Sequence, residues 1–262
     1  METPPAGFTP PGIEEFFYDP FFLAGTPFAI NRLVLMMFFV TGVLCLVFVK
    51  GFAKPAVVPR GLQNVVEVGL DFVRVQIVEE IIGKAGRRFT PYLTALFFFI
   101  LFANSTSILP LFHLPTTGVM ALPFLFAVIT WVLYIYTGAK EQGLGHYVKG
   151  SLFPPGVPKP IYLLVTPIEF VSTFILRPVT LSIRLLANML AGHLILALFF
   201  ASTTYLLYGF ESGRWWTAFF GVGSLVAGIA FTFFEALVIF LQAYIFTLLT
   251  AVYLAGSLEP DH

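Results

Sequence analysis

Charge is what this 262-residue sequence has least of. Asp, Glu, Lys and Arg make up 11% of it, against about 25% in ordinary soluble domains. Fourteen basic and fourteen acidic residues are too few to clothe the surface of a water-soluble fold of this length. They also cancel, so there is no bulk electrostatic case for binding nucleic acid. Cysteine is nearly absent. Cys45 stands alone in an apolar run, which excludes an internal disulfide and a cysteine metal cluster and leaves a small packed or lipid-facing residue. There is no HExxH, no GxSxG and no phosphate-loop pattern, and the scattered histidines lack metal spacing. Neither a metal nor a cofactor is expected, and no residue reads as catalytic. The N-terminus carries Glu2, Glu14, Glu15 and Asp19 with no early basic cluster, unlike a cleaved signal peptide.

What the sequence has is apolar length. Hydrophobic residues make up 58% of it, gathered into runs of the roughly 20 residues that cross a bilayer. Residues 33–49, LVLMMFFVTGVLCLVFV, form a first span, closed by Lys50, with Pro55 and Pro59 breaking any continuation. Residues 90–112 form a second, rich in Phe and carrying the polar patch Asn104, Ser105, Thr106 and Ser107; Pro110, His113 and Pro115 follow in a loop. A third covers 119–137, with Trp131, Tyr134 and Tyr136 near its end as an interfacial aromatic belt would be. The apolar stretches 161–207 and 215–254 are overlong. At about 1.5 Å per residue, a straight helix over the first of these roughly doubles the ~30 Å hydrocarbon thickness. It must tilt strongly, bend at Pro167 or Pro178, or split in two.

Residues 62–85 differ. Leu62, Val65, Val66, Leu70, Val73, Ile77 and Ile81 recur at helical spacing among Glu67, Asp71, Arg74, Glu79 and Glu80. That is an amphipathic helix suited to lying on the membrane or against a partner. The expected fold is therefore all-α and integral to the membrane, with about five crossings plus one interfacial helix. Residues 1–32 form an outside or interfacial segment, and 33–262 a single membrane domain. The segment 50–88 holds seven Lys and Arg residues and 138–160 three lysines, whereas the loop 109–118 has none and 208–214 only Arg214 with Glu211. The positive-inside rule then puts the N-terminus outside and the C-terminus in the cytoplasm.

Glu169, Arg177, Arg184, His193 and Glu235 lie inside the last two apolar stretches. A charge at the bilayer centre costs at least about 2.5–3.5 kcal/mol and by default marks a function. At 100° per residue, Arg177, Thr180 and Asn188 fall within about 40° of Arg184, and His193 falls on the opposite face. On the final helix Glu235 and Gln242 are seven residues apart, again on one face. A histidine and a glutamate on adjacent helices can share a proton and a thread of water. Blander readings exist: Arg177 snorkels to the interface, Thr180 and Ser182 bond only their own helix, and His193 is a packing residue. Arg184 resists such a reading, since no acidic residue stands within two helical turns of it.

The segment RPVTLSIRLLANMLAGHLIL, residues 177–196, closely resembles the signature of subunit a of F-type ATP synthases, with its Arg-Leu-x-x-Asn-x-x-Ala-Gly core. EALVIFLQAYIFTLLTAVYL, residues 235–254, resembles the family's closing motif, and PIEF, residues 167–170, the stretch before the arginine helix. The wording is most similar to an actinobacterial member. The resemblance implies that Arg184, with Asn188 beside it, faces a ring of c subunits. It implies that His193, Glu235 and Gln242 line an inlet half-channel, the His/Glu pair exchanged between helices relative to some members. Glu169 resembles an acidic residue of the cytoplasmic half-channel, its spacing to Pro178 one residue longer than usual, and Thr180 falls with it. Implied partners are the c ring, b-type peripheral stalk subunits and the rest of the synthase, with protons as cargo, in a bacterial plasma membrane. The chain itself would be non-catalytic. The rival class is a secondary transporter, which commonly shows internal repeats; none is evident here. A structural scaffold would not need Arg184 with a His/Glu pair.

Overall fold

The computed structural model describes residues 8, 10–16, 22, 30–53, 56–109, 116–153, 159–211 and 214–258. Most of the expected N-terminal segment, together with Pro55 and the loop residues Pro110, His113 and Pro115, lies outside them. Among the described residues there is no strand beyond an isolated antiparallel bridge, Phe22 to Ile30. The expected all-α architecture is the one observed.

Helix α1 spans Arg32–Phe52. It starts at Asn31, whose Oδ1 accepts the Val34 amide at 3.0 Å and so satisfies one of the amides a helix start leaves open. The amphipathic stretch is one helical course in three geometries: α2, Leu62–Val73, then π-helical Arg74–Ile82, then a 3-10 stretch, Gly83–Phe89. Its buried stripe is Val66, Val73, Ile77 and Val78; of the apolar residues expected on that face Leu62 and Val65 are exposed, and Val78 joins it instead. Gln63 anchors its start: Nε2 donates to the Ala56 carbonyl at 3.0 Å and Oε1 accepts the Ala56 amide at 3.1 Å. Gly83 turns the chain between the π and 3-10 stretches at φ 76°, where side chains with a Cβ are strained.

Helix α3, Thr90–Ser105, is shorter than the expected 90–112. Its polar patch lies at its end. Ser105 Oγ donates to the Leu101 carbonyl at 2.7 Å, Thr106 Oγ1 to Ala103 at 2.7 Å and Ser107 Oγ to Asn104 at 2.8 Å; the last two are among the carbonyls a helix end leaves without an intrahelical partner. Helix α4, Ala121–Gln142, runs past the aromatic belt and stops at Gly143, φ 84°. The polar segment 138–160 contains a further helix, α5, Leu144–Leu152.

The first overlong stretch neither splits nor stays regular. Helix α6, Tyr162–Phe170, contains Pro167 and passes through π-helical Val171–Leu176 into α7, Arg177–Glu211. A proline removes one backbone donor and crowds the preceding turn; the widened π turn follows it. Helix α8, Trp216–Leu258, is the second overlong stretch. Among the described residues, four helical runs are long and apolar enough to cross a membrane: Arg32–Phe52, Ala121–Gln142, Tyr162–Gly209 and Trp216–Leu258. The 16-residue α3, where the sequence predicts another crossing, is shorter than these four.

The chain packs as two compact units. The first comprises Met1–Val40, Leu101–Val119 and Ala187–Leu241; the second comprises Thr41–Ile100, Met120–Leu186 and Gln242–His262. In the first, α7 and α8 meet through glycines: a Cβ on Gly221 would touch Leu207 at 3.3 Å and one on Gly228 would touch Phe199 at 3.2 Å. Ser224 Oγ crosses the same seam to the Phe199 carbonyl at 2.9 Å. In the second, Tyr134 of α4 donates to the Thr173 carbonyl at 2.7 Å, and Gln142 Nε2 to Ser257 at 3.1 Å.

Candidate functional site

In the first unit, α8 carries Glu235 into the seam with α7. Its carboxylate lies against Gly192, where an added Cβ would collide with it. The neighbouring residue is His193, whose ring meets Phe16 edge-on at 5.4 Å between centroids. Both ionisable residues are deeply buried, His193 at 6% exposure and Glu235 at 3%. The fold therefore brings the glutamate of the last helix to the segment of α7 that bears the histidine. The same unit holds a buried polar cluster after α3: Thr117 Oγ1 donates to Asn104 Oδ1 at 2.5 Å, and the Thr106 and Thr116 hydroxyls lie 2.8 Å apart.

Further along α8, Gln242 is buried at 2% exposure. Gly221, Gly228, Glu235 and Gln242 follow one another at intervals of seven, a spacing that keeps them on one stripe of the helix.

Arg184 contrasts with the pair. It is exposed on α7, and among the described residues no ion pair or hydrogen bond engages it. Thr180, Ala187, Asn188 and Ala191 are exposed too, all within about 60° of it on the helix. Thr180 Oγ1 donates to the Leu176 carbonyl at 2.7 Å and to that of Arg177 at 3.2 Å, and Ser182 Oγ to Val179 at 2.9 Å, so both hydroxyls bond their own helix. Glu169, on α6, is half-buried.

Arg177 does more than reach for an interface. Its guanidinium sits 5.2 Å over the Tyr253 ring, a cation–π arrangement, and Tyr253 packs on Tyr134 at 5.8 Å. Its charge is also felt at α5, where burial raises the Tyr147 pKa and Arg177 opposes the rise.

Sequence patterning finds the ionisable residues because charge is rare in these runs. It misses Gly192 and Phe16. The seven-residue recurrence of glycine ahead of Glu235 was the available signal for a close helix seam; nothing in the N-terminal segment marks Phe16 as a neighbour of His193.

The pattern of the ATP synthase A chain family matches residues 34–255. The chain is 47% identical over 255 residues to a protein of Rhodococcus erythropolis called ATP synthase subunit a, covering 97% of this chain and 92% of that one. It is 43% identical over 230 residues to the protein of that name from Frankia alni, covering 87% and 78%. The Streptomyces lividans protein of that name is 36% identical over 260 residues, covering 98% and 90%. With a family pattern running through nearly every helix and relatives aligned over most of their length, the chain belongs to the ATP synthase A chain family.

Proposed function

We propose that the chain is the proton-conducting stator of a rotary ATP synthase, in which Arg184 confronts the carboxylates of a turning c ring. One observation carries this reading: the Arg184 guanidinium, in a long apolar run, stands exposed on α7 without a partner among the described residues. A charge in that position calls for a counterion from another chain. Small residues flank it, Ala187 and Ala191, which let a neighbouring helix approach closely. Asn188 adds an amide beside the arginine.

A rotor carboxylate crosses lipid only when protonated. Arg184 stays charged, since guanidinium does not deprotonate in proteins. It attracts the ionised carboxylate, releases it on protonation, and bars direct leakage between two offset half-channels. His193, Glu235 and Gln242 form the inlet half-channel, and Glu169 and Thr180 belong to the cytoplasmic one. Each proton crossing the membrane potential yields about 2.3 kcal/mol per 100 mV, which drives rotation. The chain is non-catalytic and works with the c ring, b-type stalk subunits and the remaining synthase in a bacterial plasma membrane. For its orientation, the basic residues are uneven: ten of the fourteen fall in the segments 50–88 and 138–160. That supports cytoplasmic basic loops with the N-terminus outside.

Arg184→Ala should abolish ATP-driven acidification of inverted vesicles while ATP hydrolysis by the detached head is unchanged. Arg184→Lys should fail as well, because lysine can deprotonate and lacks the planar fork. Normal pumping by either variant refutes the assignment.

A further inference from the structure

Three adjoining cavities in the second unit run between α1, the amphipathic course and α3. The first, about 480 Å³, is walled by apolar groups that include Leu44, Phe48, Ala95 and Phe98, with Cys45 and Thr94 among them. The next, about 320 Å³, shares Phe52 and Leu70 with it and is lined by Glu67, Asp71, Arg74 and Thr90. The third, about 480 Å³, shares Arg74 and Thr90 with the second and Pro91 with the first, and adds Glu79 and Arg87. The groove passes from an apolar slot to a charged mouth, and the amphipathic helix forms that mouth.

Two hydroxyls mark the passage. Thr90 Oγ1 and Thr94 Oγ1, one turn apart on α3, are buried and have no hydrogen-bond partner among the described residues, and Thr94 is only 4% exposed. Threonines elsewhere in these helices bond a carbonyl one turn back, as Thr137, Thr203 and Thr247 do. A buried hydroxyl left unmet costs about 1–3 kcal/mol, so this pair points to an acceptor that comes from outside the chain.

We infer that this groove holds one aminophospholipid of the phosphatidylethanolamine class. An acyl chain fills the slot beside Phe48 and Phe98. The Thr90 and Thr94 hydroxyls donate to its ester carbonyls. The phosphate meets Arg74 and Arg87, which suit a phosphodiester, and the ammonium meets the carboxylates. Charge selects this class. The mouth has two guanidinium groups and three carboxylates, Glu67, Asp71 and Glu79, so a headgroup with a phosphate alone meets net repulsion. The arginines are already paired, Arg74 with Asp71 at 3.1 Å and Arg87 with Glu79 at 3.3 Å. These pairs are solvent-exposed and therefore weak, and a zwitterion exchanges with both partners at once. The inference rests on the chain spanning a membrane and is independent of the role of Arg184.

The test is native mass spectrometry of the full chain, purified in detergent with the subunits that hold it. The probe is an equimolar mixture of phosphatidylethanolamine, phosphatidylglycerol and phosphatidylcholine. The expected result is one retained phosphatidylethanolamine, preferred over phosphatidylglycerol by roughly tenfold, about 1.4 kcal/mol. Ala95→Trp, which fills the slot, and the double variant Arg74→Gln with Arg87→Gln should each cut retention several-fold. Cys45 gives a second measurement on the unaltered chain, where phosphatidylethanolamine but not phosphatidylglycerol should slow alkylation by an apolar maleimide. Equal retention of the two lipids overturns the inference, as does retention indifferent to these variants. Efficient cross-linking of Cys45 to another polypeptide would overturn it too, by assigning the slot to a partner helix.

Discussion

Gly192 has no side chain, and that is what lets the Glu235 carboxyl reach α7. A Cβ there collides with the carboxylate. Gly192→Ala should therefore push Glu235 out of place, with an overpacking cost on the order of 1–3 kcal/mol. The expected outcome is reduced ATP-driven pumping at matched protein level, partly restored by Glu235→Asp, whose shorter side chain clears the new methyl. If Gly192→Ala pumps like the parent, the carboxylate's seat is not set by this contact. Arg184, His193, Glu235 and Gln242 were legible in the sequence because each is polar in an apolar run. Gly192 was not, since glycine announces nothing about which atom will approach it. Phe16 was hidden for a different reason: one phenylalanine among 32 is invisible to composition.

The helices were legible wherever the apolar period was long, and their ends were not. The second span stops at Ser105, where the Thr106 and Ser107 hydroxyls take up two of its last carbonyls, an effect that hydropathy does not register. Helix α5 escaped notice because its nine residues are too short and polar to show a period. The stretch 161–207 showed that something had to give, without showing that a π segment over Val171–Leu176 would absorb it. That segment is held from α4, where Tyr134 donates to the Thr173 carbonyl at 2.7 Å. Tyr134→Phe keeps the ring and deletes the donor. It should lower stability by about 1–3 kcal/mol, the cost of an unmet buried carbonyl, seen as an earlier thermal unfolding transition in detergent. An unchanged transition would mean that the π turn stands without this bond.

For the whole molecule, the orientation is open to a direct measurement. In a Cys45→Ala background, Lys84→Cys and Lys140→Cys should react with a membrane-impermeant maleimide in inverted vesicles only. Arg214→Cys should react only in right-side-out spheroplasts. All three native side chains are exposed, so failure to label would not come from burial. The opposite pattern of labelling would invert the topology and, with it, the assignment of inlet and outlet.

The glycine seam of the first unit has a further geometric consequence. Gly221, Gly228 and Glu235 of α8 meet α7 near Leu207, Phe199 and Gly192, steps of seven on one helix and seven to eight on the other. A straight α-helix drifts by roughly 20° per seven residues, so two such steps would carry the stripe roughly 40° off the seam. Contact persists at all three levels, so the seam holds one stripe of α8 against α7 over fourteen residues, about 21 Å of axis.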